Sequence, residues 1–308
     1  MTALRRGATV PRVTDPFEVS DDAPLRVGVA LTATATATAT SSPPGAVLQT
    51  RLGSFCEALS EATGIATVPH VAPDYPGLLE AMHAGRVDVA WLPPVIALRS
   101  ASVGRALPIA LPVRRGVSSF YTALFARADS PFRRPADLAA ARAAWVNPQS
   151  ASGYLVIRAA LRAQNVNLEH AFSEEKFHAM HAAVVRAVLS AEADVGATFL
   201  HREPQGGIWR AGWGNAEVHV IARVGPIPAD VIAAGVHVPV ARIRRVQTAL
   251  TSGGHPALTA TGALLLEAES FVVAQGEHLA PLEKLLGFLE DTAHRWGSDF
   301  PPPSTRMG

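Results

Sequence analysis

A single cysteine, Cys56, in 308 residues excludes an internal disulfide and any cysteine-rich zinc site. No uninterrupted apolar run approaches the roughly 18 residues that a membrane span needs. Lysine is nearly missing, since Lys176 and Lys284 are the only two, so the basic side chains are almost all Arg. Those 27 basic residues face 26 acidic ones and leave a formal net charge of +1. That balance gives no strong electrostatic case for nucleic acid or an acidic membrane as partner. The usual enzyme signatures are absent too. There is no glycine-rich phosphate loop with a lysine, no dinucleotide fingerprint, no nucleophile elbow and no paired-histidine zinc helix. These absences favour a binder over an enzyme and imply neither cofactor nor metal. What is present, 48% apolar and 17% charged residues, is ordinary for a soluble globular chain with a large core.

Residues 1–24 read as a flexible arm, in which Arg5 and Arg6 are followed by no apolar stretch. As written this is not a secretory signal and the expectation is a cytoplasmic protein; a periplasmic one would need a different or longer start. "LRVGVAL" (25–31) is a strand candidate, and the Thr-Ala run that follows, ending in Ser-Ser-Pro-Pro-Gly, reads as an exposed loop. Leu48, Leu52, Phe55 and Leu59 lie at helical spacing in a segment that stops at Gly64. "IATVPHV" is the next strand. Short apolar strands then keep alternating with amphipathic helices, which argues for an α/β fold with largely parallel sheets.

Two segments resemble each other: "YPGLLEAMHAGRVDVAWL" from Tyr75 and "HAAVVRAVLSAEADVGATF" from His181. Each is a helix, a small-residue break and a short strand. Tyr75 and His181 each stand thirteen positions before an Asp-Val, at Asp88 and Asp194, which read as turn residues. In two similar α/β lobes these rings sit at comparable helix starts, and such starts gather where ligands bind. Between them, "NPQSASG" joins the strand "ARAAWV" to a helix with Tyr154, Ile157 and Leu161 on one face. A helix start offers free N–H groups and partial positive charge. Ser150 and Ser152 add hydroxyl donors around Ala151, and Gly153 permits close approach; the plainer alternative is that one serine only caps the helix. His178 and His181, beside Glu174 and Glu175, have no third metal ligand placed by spacing.

Four stretches carry a resemblance to a known family: "DYPGLLEAMHAGRVDVAWLPP", "FYTALFARADSPFRRPADL", "NPQSASGYLVIRAAL" and "HAAVVRAVLSAEADVGAT". The chain resembles the substrate-binding proteins of phosphate, phosphite and phosphonate ABC transporters over roughly residues 25–250. The resemblance implies a two-lobed α/β fold of the type 2 periplasmic-binding-protein kind, with discontinuous lobes and a ligand cleft between them. Lobe 1 would hold 25–118 and 230–308, and lobe 2 would hold 119–229. It implies headgroup contacts from Tyr75, Ser150, the backbone of Ala151, Ser152 and His181, and an aromatic pair, Phe120 and Tyr121, in the crossover strand. Asp230 matches an acid that faces the amine in aminophosphonate binders, but His201 stands where those members carry a second acid.

The expectation is therefore a monomeric solute-binding protein for a small phosphorus oxyanion, with an ABC permease as a possible partner. Two alternatives stay open: a cytoplasmic enzyme on the same fold, as in a branch of menaquinone biosynthesis, and a sensor domain acting on a partner protein.

Overall fold

A computed structural model describes residues 23–31, 44–148, 150–202 and 209–296. The arm, apart from its last two residues, and the Thr-Ala run after Leu31 lie outside the described residues. Two mixed sheets organise the chain. The first contains β1 (Leu25–Ala30), β2 (Thr67–Ala72), β3 (Val89–Leu92), β4 (Ala106–Val113), β11 (Val231–Gly235) and β12 (Ser270–Val273), in the order β12-β4-β11-β3-β1-β2. The second contains β5 (Ser119–Arg127), β6 (Ala141–Trp145), β7 (Phe172–Phe177), β8 (Val195–Arg202) and β10 (Val218–Pro228), in the order β10-β5-β8-β6-β7, with β9 (Trp209–Ala211) paired to β8. The chain crosses from one sheet to the other twice, between β4 and β5 and between β10 and β11. This is the expected α/β architecture of two sheets, the first drawn from two separated stretches (β1–β4 and β11–β12) and the second from one continuous stretch. The expectation of largely parallel sheets is corrected: among the described residues the crossover and edge strands pair antiparallel, and only the centres are parallel.

Each sheet has the same parallel centre. In the first, β1 runs parallel to both β2 and β3; in the second, β6 runs parallel to both β7 and β8. The connecting helices are α1 (Pro44–Thr63) and α2 (Tyr75–His83) in one half, α4 (Val156–Ala163) and α5 (His181–Leu189) in the other. The predicted stripe of α1 is the buried one: Leu48, Leu52, Phe55 and Leu59 join Val27, Val29 and Ile232 in the first core. The helix ends before Gly64, whose φ of +64° only glycine adopts at little strain.

Both predicted turn aspartates are more than turns. Asp88 receives the backbone N–H of Arg26 at 2.7 Å and both arms of its guanidinium at 2.8 and 2.7 Å. Asp194 receives the same three bonds from Arg142, at 2.9, 3.0 and 2.8 Å. An Arg on the first strand of each half therefore grips the Asp that opens the third.

The helix α8 (Gly276–Trp296) packs against α4 and β10, and also against α3 (Pro94–Ser102). Its Leu279, Leu282 and Leu286 enter one apolar cluster that mixes the two sides: Leu78, Leu92 and Val95 from the first, Ala151, Leu155 and Val156 from the second. The helices α6 (Val240–Thr251) and α7 (Pro256–Leu266) cover the first sheet with α1. No described helix is long and apolar enough to cross a membrane.

Candidate functional site

The carboxyl ends of the parallel strands set the stage. Tyr75 follows β2, the 150–152 stretch follows β6 and His181 follows β7, so three of the expected contacts come from equivalent strand ends.

After β6 the chain does not enter an α-helix directly. Residues Ala151–Leu155 form a π-helical turn, with Leu155 N–H bonding Ser150 O at 2.9 Å and Val156 N–H bonding Ala151 O. Such wide turns are frequent at functional sites. Ser150 Oγ accepts from Gly153 N–H at 3.0 Å, so Ser150 is the cap, with its own hydroxyl proton left to give. The N–H groups of Ala151 and Ser152 bond to nothing among the described residues, as the first turn of a helix dictates. Gly153 is needed for packing rather than for a ligand: a Cβ there would stand 2.2 Å from Val146 Cγ2. Tyr154 packs on the last residues of β6 and β7. Its ring sits under the Arg158 guanidinium at 5.0 Å and edge-on to Trp145 and Phe177. Arg158 is held by Glu175, which also receives the Trp145 indole N–H at 2.7 Å.

The two sides of this cradle meet at His181. Its Nε2 lies 3.4 Å from Ser152 Oγ, and its Nδ1 lies 3.0 Å from Thr198 Oγ1 on β8. Burial pushes its pKa down to about 4, so the ring is neutral near pH 7. The tautomer that serves an anion carries its proton on Nε2, with the Thr198 hydroxyl donating to Nδ1. Below, Thr122 on β5 donates to the Ser152 carbonyl at 2.5 Å.

In the first half, Asp74 caps α2 by accepting from Gly77 N–H at 2.8 Å, which fixes Tyr75 at the helix start. Burial, reinforced by Asp230 and opposed by Arg114, holds the Tyr75 phenol well above its ordinary pKa, and it remains a donor. Asp230 pairs with Arg114 at 2.9 Å. Tyr75, Phe120 and Ala151 all border the apolar cluster that mixes the two sides.

Alternation along β5 separates the aromatic pair. Phe120 shares a face with Thr122 and lies 6.1 Å, centroid to centroid, from His201. Tyr121 points to the opposite face, edge-on to Trp209 at 5.0 Å, and leans on Gly225. Sequence reasoning missed Thr122, Thr198 and Arg114. Thr122 could have been found from the period of two that starts at Phe120; Arg114 had no local signal, because its partner is 116 residues away.

A family profile described as "ABC transporter, phosphonate, periplasmic substrate-binding protein" matches residues 38–278. No curated protein sequence matches the chain. Among solved structures, a Xanthomonas citri protein bound to chloride superposes with a TM-score of 0.69 at 18% identity, covering 88% of this chain and 99% of that one. A binding-protein component of an ABC phosphonate transporter from Pseudomonas aeruginosa gives 0.63 at 20% identity, with 91% of each chain covered. PhnD1 of Prochlorococcus marinus in complex with methylphosphonate gives 0.60 at 14%, covering 86% and 98%. Identities this low speak for the fold alone, whereas the profile covers most of the chain. The protein belongs to the periplasmic substrate-binding family of phosphonate-type ABC transporters, a family of binding proteins rather than enzymes.

Proposed function

We propose that this protein captures a small phosphorus oxyanion, namely phosphate, phosphite or an alkylphosphonate, between its two sheets and delivers it to an ABC permease for uptake. The observation that carries the reading is the convergence at the π-helical turn. Two N–H groups, the Ser150 and Ser152 hydroxyls and a neutral His181 offer short donors at a helix start, where the backbone favours an anion. Tyr75 would close the shell from the other side, as a phenol that stays protonated. Lobes of 25–118 with 230–308 and of 119–229 would move about the two crossovers as hinges, with α8, which packs on α4 and β10, spanning both. The site belongs outside the membrane-spanning machinery, and the family's periplasmic setting fits an uptake role.

Thermal melting with phosphate, phosphite, methylphosphonate and sulfate is the direct test. A true ligand at a hundredfold excess over its Kd should add about 2.7 kcal/mol of stability. Ser152→Ala should weaken that ligand by about 0.5–1.5 kcal/mol through the loss of one hydrogen bond. If none of the phosphorus oxyanions moves the midpoint at millimolar concentration, the reading is wrong.

A further inference from the structure

Arg114 plays no part in the contacts proposed above, yet it is fixed by two side-chain hydrogen bonds. It follows β4 in the first crossover, and its guanidinium serves two acceptors: Asp230 Oδ2 at 2.9 Å and the Leu266 carbonyl at 2.9 Å. Asp230 lies in the second crossover, so the pair ties the two together. The backbone around it is fastened as well. Arg114 and Val117 exchange hydrogen bonds of 2.9 and 3.1 Å across a tight turn in which Arg115 and Gly116 have φ of 52° and 74°. Gly116 N–H donates to Glu269 at 3.1 Å, and Ala229 N–H to the Ser118 carbonyl at 2.8 Å.

The charge of Arg114 is felt on both sides of the site. It acts on the Tyr75 phenol in the opposite sense to Asp230, and, after burial, Arg115 and Arg114 hold the His201 imidazole below its ordinary range. Phe120 and Phe199 flank His201 at centroid distances of 6.1 and 5.3 Å. A ligand tail reaching this region meets aromatic edges and, at Asp230, a carboxylate whose charge Arg114 already balances through Oδ2.

Resting on the oxyanion reading, we propose that Arg114 sets the ligand class: by holding Asp230 in an ion pair it removes the partner a cationic tail would need. The site then takes phosphorus oxyanions with an uncharged tail and discriminates against zwitterionic aminophosphonates. An ammonium entering beside Arg114 would lose its water and meet a carboxylate whose charge Arg114 already balances, with Arg114 itself repelling it, so much of that desolvation goes uncompensated.

Calorimetric titration of methylphosphonate and 2-aminoethylphosphonate into wild type, Arg114→Gln and Arg114→Lys tests the proposal. Wild type should favour methylphosphonate by tenfold or more. Arg114→Gln frees Asp230 and should move the ratio at least tenfold toward the aminophosphonate, whereas Arg114→Lys, which keeps the charge, should hold the wild-type preference. An unchanged ratio in an Arg114→Gln protein that melts like wild type overturns the proposal. So does a wild type that binds the aminophosphonate equally well or better, a result that decides the matter even if Arg114→Gln does not fold. A wild type that binds neither phosphonate, nor phosphate, nor phosphite overturns instead the oxyanion reading on which this one stands.

Discussion

The Arg26–Asp88 and Arg142–Asp194 clamps occupy the same place in the two halves of the chain, and they are not equals. Asp88 is wholly buried and takes a fourth bond from His237 Nε2 at 3.0 Å. Asp194 keeps 20% of its side chain in contact with water, and its Arg142 keeps 41%. Burial alone would push the Asp88 carboxyl up, but the bonds and charge of Arg26, with His237, more than offset it and hold it low. At Asp194 the hydrogen bonds from Arg142 are the leading cause of the lowering. The halves also carry different rings at their second helix starts, Tyr75 in one and His181 in the other, yet both are uncharged near pH 7, the phenol by its nature and the imidazole because burial lowers its pKa. The scaffold is repeated, its wetness is not, and each half carries a neutral polar ring at its second helix start.

That comparison can be broken by mutation. Asp88→Ala leaves the Arg26 guanidinium, its N–H and His237 without their common acceptor and should cost about 3–5 kcal/mol in urea unfolding. A second test uses pH. The folded pKa of His181 lies near 4 against about 6.5 unfolded, so the unfolded chain takes up a proton first as pH falls. Its contribution is fully present above pH 6.5 and declines toward pH 4, by at most about 3 kcal/mol. His70, His83 and His201 are lowered in the same direction by burial, so the His181 share is read as the difference between wild type and His181→Gln. The clamp aspartates, with folded values below the ordinary one, lose their contribution only at lower pH, below about 3.9. The smallest of these effects should come from Asp194→Ala, about 1 kcal/mol, because water can replace much of what it gives. If the two aspartate variants lose equal stability, burial is not what separates the clamps.

Much of this was legible beforehand, for local reasons. The strand at 25–31, the helix stripe through Leu59 and its stop at Gly64 follow from period and from one residue's backbone freedom. The thirteen-residue spacing before Asp88 and Asp194 exposed the repeat. What spacing could not show is who holds those aspartates, since Arg26 and Arg142 lie 62 and 52 residues earlier. The sequence offered Phe120 and Tyr121 only as an aromatic pair; the Thr122 bond to Ser152 and the Trp209 ring are what tell their two faces apart. Gly153 read as room for a ligand, but Val146 occupies that room.

The Thr122 hydroxyl has one proton and two carbonyls in reach, Ser152 O at 2.5 Å and Thr198 O at 3.1 Å. Given to Ser152, that proton pulls electron density through the 152–153 peptide, whose N–H in turn leans on Ser150 Oγ. Three links thus run in series from the middle of a sheet to the lip of the cradle, each polarising the next. Polarisation in that direction should make Ser150 a stronger hydrogen-bond donor than an isolated serine, with no charged side chain bonded to it among the described residues. Thr122→Val should therefore weaken methylphosphonate by less than 1 kcal/mol in calorimetry, from a position behind the turn rather than in the proposed shell. The sheet then does more than hold the Ser150 hydroxyl in place: through a relay of hydrogen bonds it also tunes how strongly that hydroxyl donates.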